Sequence, residues 1–391
     1  NSAHLPFMQV APPGKQALLR FLLSVFLLLV AVFSTTGVKR YGDFLEYGLT
    51  TVAVAEHGTP YIVASDVERM IELTPQNEVE FRTVLGTIRD RISAGEQVPI
   101  PGLLLSERGH YMSIHFVGYS MLTAVPFVIL DGIGVNPWKA YQVMNYLPVL
   151  ALAAACYLLL GSARRAWVGI ALFVLCGALP YLNWTSPEVF TMGSLLAGLI
   201  LFTIGRPIAG AILVGLAATV GLMLALAIPA LSTVNWNSGA SGPMRYVVWG
   251  ASPLLYLALA WLALQRRWPL ALMTAVLVLQ FGAMWHAKHY EYTWFSPLGR
   301  WVLETAPSWY NPDPEIFYER TTHLDGSFSV DGVIAYPDAD QPLKTLYNVR
   351  NPTAHQALCG PGRKLDETDV VVMGQGWRYI NGSPVCLAAG G

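Results

Sequence analysis

Charged side chains are what this sequence has least of. Asp, Glu, Lys and Arg make up 13% of its 391 residues, against about a quarter in an ordinary soluble domain. So large a deficit excludes a chain wetted by water over its whole surface. The charges also nearly balance, at a net −1, so the basic surplus that marks nucleic-acid binding is lacking and no nucleic-acid partner is expected. Cysteine is scarce, at four residues, which excludes a framework built on disulfides. Internal repeats are missing as well, which removes the usual sequence sign of a transporter made of matching halves.

What is present is apolar. Hydrophobic residues make up 54% of the chain, and they fill roughly the first three quarters. The first long run covers 21–38, long enough to cross a bilayer. Lys15 and Arg20 precede it, so it reads as an uncleaved anchor with a cytoplasmic N-terminus. Seven further runs follow, at 111–130, 140–160, 166–182, 189–204, 207–234, 246–264 and 268–285. Basic residues mark the short turns at Arg164-Arg165, Arg206 and Arg266-Arg267, and the positive-inside rule places those turns in the cytoplasm. The stretches 39–110, 183–188 and 235–245 then face outward, as does the C-terminus. Eight full crossings would return the C-terminus to the inside. One run must therefore cross incompletely, and a partial run is expected between 111 and 182.

Between the first two runs lies a long polar loop, 39–110. Apolar residues recur at helical spacing over 45–57 and 66–92, which predicts amphipathic helices on the membrane surface. A small soluble insertion is the other reading of the same pattern. From about 289 the composition turns polar, with short alternating stretches over 327–335 and 369–373 and turn signals such as Asn381-Gly382. That predicts a soluble α/β or mostly β domain over 289–391. The fold class expected is thus an α-helical polytopic membrane protein of about seven or eight spans. It has a long extracytoplasmic first loop and a small C-terminal domain, the membrane part covering 1–288. Cys156 and Cys176 lie inside apolar runs as reduced packing residues. Cys359 and Cys386 lie in the polar part, where an oxidising compartment would join them, two free thiols being the alternative.

Chemistry concentrates where the first span ends, in KRYGDFLEYGLTTVAVAEHGTPYIVASD. Carboxylates beside lipid are costly unless they face water or serve a function. Asp43 is placed to act as a base toward a hydroxyl acceptor whose partner substrate keeps its tail in the bilayer. Glu46 follows three residues on, a helical neighbour. A pair of solvated carboxylates at a helix end is the plain alternative. On the outward side, Glu188 sits in NWTSPEVF and Arg245 opens the 246–264 run. Arginine offers a planar fork of donors suited to phosphate, and an interfacial anchor is the competing role. His110 and His115 are five residues apart, a poor spacing for shared ligation on one helix, and read as interfacial polar contacts. Asp338-Ala-Asp340 reads as a turn, and Gly374-Gln-Gly376 is too short for a phosphate loop.

In their order along the chain these segments resemble the GT-C superfamily of integral membrane glycosyltransferases. The resemblance covers about 17–286. It rests on YGDFLEYGLTTVAVAEHGTPYI, on FVGYSMLTAVPFVILDGIGVNPWKAYQVMNYL, on Pro187-Glu188 and on Gly242-Pro-Met-Arg245-Tyr246. Many members carry an adjacent acidic pair where this chain has Gly42-Asp43-Phe44. The family implies a polyprenyl-phosphate sugar as donor, a glycan or lipid acceptor, and inverting transfer on the extracytoplasmic face of the cell's inner or plasma membrane. Asp43 would then be the base, with Glu46 beside it. Arg245, Lys39 and Arg40 would hold the leaving phosphate, and Glu188, His110 and Tyr41 would line the substrate site. No cofactor is certain, and a divalent metal stays open. A transporter or flippase for a lipid-linked substrate, and a non-catalytic assembly protein, are the alternatives.

Overall fold

A backbone surrounded by lipid must satisfy its own hydrogen bonds, so apolar runs of this length fold as helices. The computed structural model describes residues 14–40, 42–98, 102–106, 108–113, 115, 117–220, 245–265, 268–288, 293–324, 332–368, 370–374 and 376–388. The side chains of 218–220, 245–250, 286–288 and 374 lie outside that description. The chain is mostly helical, with a small strand region toward the C-terminus. Among the described residues, three helical stretches are long and apolar enough to cross a membrane: Lys15–Thr35, Pro137–Leu160 and Ala163–Tyr181. The described residues fall into two compact units, one up to 286 and one from 287.

In the first unit, α1 (Lys15–Thr35) shows Leu19, Leu23, Leu27 and Leu28 at its surface, a face suited to lipid. The polar loop holds α2 (Phe44–His57), α3 (Ala64–Glu72) and α4 (Val79–Ser93). The stretch 45–57 folds as α2 and is largely buried: Tyr47, Leu49, Val52 and Ala53 join a core, and α2 packs on α5 (Val117–Gly132). The helical spacing over 66–92 is carried by two helices, because Pro75 disfavours helix at and before it. Thr74 closes the first by donating its hydroxyl to the Met70 carbonyl at 2.8 Å. Arg69 of α3 reaches Asp131 of α5 at 2.6 Å, which fastens the loop to the bundle.

The run 111–130 also divides. Leu103–Leu105 (β1) and Tyr111–Ser113 (β2) form an antiparallel hairpin, and α5 starts only at Val117. With 16 residues, α5 is about 24 Å long, short of the roughly 30 Å hydrocarbon core. The next run folds as expected, as α6 (Ala140–Leu160). The run 166–182 becomes α7 (Ala163–Phe173), a π-turn at Val174–Ala178 and a 3₁₀ turn at Leu179–Tyr181. Then come α8 (Glu188–Thr203), α9 (Pro207–Val220), α10 (Arg245–Leu264) and α11 (Leu270–Lys288). Residues 221–234, the rest of one expected run, lie outside the described residues.

Between helices in lipid there is little hydrophobic drive, so close packing must supply the attraction. At the α8–α9 contact a Cβ on Gly198 would stand 2.9 Å from the Gly210 carbonyl oxygen, and one on Gly210 would stand 2.8 Å from that of Gly198. Only glycine lets these backbones approach so closely.

The second unit contains α12 (Pro297–Thr305) and α13 (Pro314–Thr322). Strands β3 (Ile334–Tyr336), β4 (Lys344–Asn348), β6 (Val371–Gly374) and β7 (Trp377–Asn381) form an antiparallel sheet in the order β3-β4-β7-β6. A short helix α14 (Ala354–Cys359) and the pair β5 (Arg363–Leu365) and β8 (Cys386–Ala388) complete it. The core of the sheet holds Phe317, Leu346, Trp377 and Tyr379. Cys359 and Cys386 are joined by a disulfide with Cα atoms 5.6 Å apart, while Cys156 and Cys176 are free. Asp338 accepts from the backbone of Asp340 and Gln341 at 3.0 and 2.9 Å, the geometry of a turn.

Candidate active site

The position of Asp43 is set by the segment that leaves α1. Thr36 stops that helix by returning its amide and its hydroxyl to the Val32 carbonyl, at 2.9 and 2.6 Å. The chain then runs extended. Lys39 bridges in parallel to Trp184, with its amide donating to the Asn183 carbonyl at 2.8 Å. The Thr185 hydroxyl donates to the Lys39 carbonyl at 3.4 Å. After this anchor the chain turns, and Asp43 becomes the residue before α2, its carbonyl accepting from the Tyr47 amide at 3.1 Å. A carboxylate there sits at the positive end of the helix dipole.

Across from it comes His115, from just beyond β2. Its Nε2 lies 3.8 Å from Asp43 Oδ1, and both side chains remain about a quarter exposed, at 24% and 22%. The His115 ring stacks on Tyr47, one turn into α2, with centroids 4.9 Å apart. Tyr47 in turn meets Tyr119 of α5 edge to face at 5.7 Å, and Ser120 donates to the Tyr47 carbonyl at 3.2 Å. Tyr119 donates to Asn145 of α6 at 2.9 Å. Asn145 uses its amide on the carbonyls of Tyr181 and Trp184, at 3.2 and 2.9 Å. The carboxylate–imidazole pair is therefore backed by a continuous polar and aromatic network through α2, α5, α6 and the turn that anchors Lys39. Such backing holds a site in one geometry.

The remaining expected residues take separate places. Glu46 directs its carboxylate at the loop backbone before β1: a Cβ on Gly102 would stand 2.0 Å from Glu46 Oε1. Arg40 pairs with Glu78 and covers the Phe44 ring at 5.7 Å, while its Nη1 is buried without a hydrogen-bond partner. Glu188 opens α8, is wholly buried, and accepts the Ser186 hydroxyl. His110 sits in the β1–β2 turn and stacks on Tyr61, with centroids 4.5 Å apart. Tyr41 lies outside the described residues, as does the side chain of Arg245, whose backbone begins α10. Among the described residues, no three His, Cys, Asp or Glu side chains converge as metal ligands.

His115 is the residue whose place the sequence pattern did not disclose. It shares the motif ERGHYMSIHF with His110, and only the hairpin between them shows which one turns toward Asp43. A carboxylate and an imidazole at this distance, about a quarter open to solvent, are chemically suited to take up and hold a proton from an approaching hydroxyl. Comparisons with family models, curated proteins and solved structures give no match for this chain.

Proposed function

We propose that the chain is a membrane glycosyltransferase of the GT-C type, with seven or eight spans and its site on the extracytoplasmic side. It moves a sugar from a polyprenyl-phosphate donor to a hydroxyl of a glycan or lipid acceptor. In this reading Asp43 removes the proton of the acceptor hydroxyl, and the oxygen attacks the anomeric carbon from the face opposite the phosphate. The new C–O bond forms as the bond to the phosphate oxygen breaks, so configuration inverts. The proton rests on Asp43, and the lipid phosphate leaves as an anion that needs no acid. Lys39 and Arg40, which shortly precede Asp43 in sequence, would receive that anion through charge-assisted hydrogen bonds, with Arg245 as a third cation. The unpartnered Arg40 Nη1 fits such a role.

The observation that carries the reading is the Asp43–His115 pair at the start of α2, rigidly backed yet partly open. Residues kept only for packing gain nothing from that exposure. The test is Asp43→Asn in membranes supplied with polyprenyl-phosphate pentoses and hexoses labelled in the sugar. General-base removal is expected to lower product about 10²- to 10⁴-fold at unchanged protein level. Unchanged product would end the enzyme reading. Transbilayer movement of labelled lipid by wild type without sugar transfer would favour a flippase instead.

A further inference from the structure

In the second unit, α12 is apolar on two sides. Gly299 and Leu303 face inward, Leu303 reaching the unit's core beside Phe295 and Phe317. On the opposite face Leu298 and Trp301, one turn apart, are 69% and 59% exposed. Trp294 before the helix is 45% exposed and Trp309 after it is 86% exposed. A soluble surface rarely leaves so many large apolar side chains together in water. Tryptophan is the residue type that gathers at membrane–water boundaries, where an apolar ring and one N–H both find partners.

The place of this face in the chain says what covers it. Helix α11 is mostly apolar and carries near its end Trp285, 57% exposed, and Lys288, the two residue types that mark the interfacial end of a span. Trp294 follows Lys288 by six residues, a tether of at most about 20 Å. The exposed face thus begins within one tether of the bilayer surface. Arg300 lies exposed beside it on α12, a cation suited to an anionic headgroup.

We infer that Leu298, Trp301 and Trp309 form a docking face that seats the C-terminal unit on the lipid headgroup–acyl boundary. The inference rests on the membrane reading of the chain and not on the transferase reading. Docking would hold the unit at a fixed depth beside the bilayer, although its face begins thirteen positions after the last span's tryptophan.

The test uses the full chain reconstituted into phosphatidylcholine–phosphatidylglycerol vesicles. Single cysteines replace Leu298, Trp301, Trp309, Val278 or Asp340 in a C176A background, Cys156 being buried and Cys359–Cys386 bonded. Each carries an environment-sensitive fluorophore. With brominated acyl chains, the probes at 298, 301 and 309 are expected to lose about half of their emission, as groups held at that boundary do, and the probe at the polar turn of 340 to lose none. The probe at 278, on the lipid-exposed side of α11, reports the membrane reading itself. Quenching at 278 with none at 298 and 301 overturns the docking face and leaves the membrane reading intact. Probes at 298 and 301 shielded from water yet unquenched would mean a protein partner or a second copy, which also overturns it. Absence of quenching at 278 overturns both.

Discussion

Asp43 and His115 face each other at 3.8 Å although a whole loop of three helices and a hairpin separates them in the chain. The separation is bridged by Tyr47, which belongs to the same helix as the carboxylate and carries the imidazole on its ring. His115 therefore has two contacts that can be removed one at a time. His115→Phe keeps an aromatic ring on Tyr47 and removes Nε2. His115→Gln removes the ring and leaves a donor. If the imidazole positions the base, both variants lower sugar transfer about 10- to 100-fold, the cost of a displaced reacting group, with the unfolding midpoint of the Phe variant near wild type. Full activity in His115→Phe would reduce His115 to a packing residue.

Glu46 makes a different prediction from Asp43, since its carboxylate packs on the backbone of Gly102. A methyl group at Gly102 cannot coexist with the present Glu46 side chain, whose Cγ, Cδ and Oε1 would all lie within 2.7 Å of it. Gly102→Ala should cost about 1–3 kcal/mol, the usual range for overpacking. Glu46→Ala should relieve that clash, so the double variant is expected to be more stable than the sum of the two changes. Thermal unfolding in detergent measures this. Strict additivity would mean that the two residues do not constrain each other.

The contrast between these two carboxylates shows how far the sequence could be read. A run such as 140–160 is legible because it is unbroken and ends at Gly161, which takes the left-handed conformation that closes a helix. The run 111–130 misleads because a short strand can open an apolar run: Tyr111–Ser113 precedes α5 without a break in hydropathy while pairing with β1. The 166–182 run hides a π-turn that hydropathy does not register. In the C-terminal unit, α12 and α13 carry legible starts, with Ser296 accepting from Gly299 and Asp313 from Glu315 at 2.9 and 3.0 Å and proline at the first helical positions. The alternating stretches that mark the unit as strand-bearing lie further along the chain and do not register either helix. Asp43 stands out by its place at a span's end. Its partner does not, because nothing local distinguishes His115 from His110. Which one meets Asp43 depends on tertiary pairing.

The disulfide joins the end of α14 to the start of β8 and closes a loop with a sequence separation of 27 residues that contains β5, β6 and β7. Restricting the unfolded chain over such a loop is worth about 3–4 kcal/mol. Cys359→Ala with Cys386→Ala should lower the stability of the C-terminal unit by that order. Hydrogen exchange of β4 and β7 in the full chain reads it directly. Exchange in those strands as slow as in wild type would show that the sheet holds without the bond.

Lys344 gives the same unit a pH signature. It is wholly buried in β4. It donates to the Pro307 carbonyl at 2.7 Å and to Asn381, and stands 4.8 Å over the Tyr379 ring. Burial away from water pushes its ammonium group down to about 8, from an ordinary 10.5. Below about 8 the lysine is charged both folded and unfolded, and the full cost of burying that charge is present. Between about 8 and 10.5 the folded form has released the proton and the unfolded form has not, so stability rises with pH. Burial raises Tyr347 and Tyr379 above their ordinary 10.0. They act in the opposite sense, because an unfolded chain ionises them first, and stability should turn downward once pH passes 10. A maximum in unit stability between about 8 and 10 is therefore expected, followed by hydrogen exchange of β4 in the full chain and corrected for its intrinsic pH dependence. Lys344→Met carries no charge to bury or release, so it should abolish the rising limb and keep the falling one. A rising limb that survives in that variant would assign it to another group.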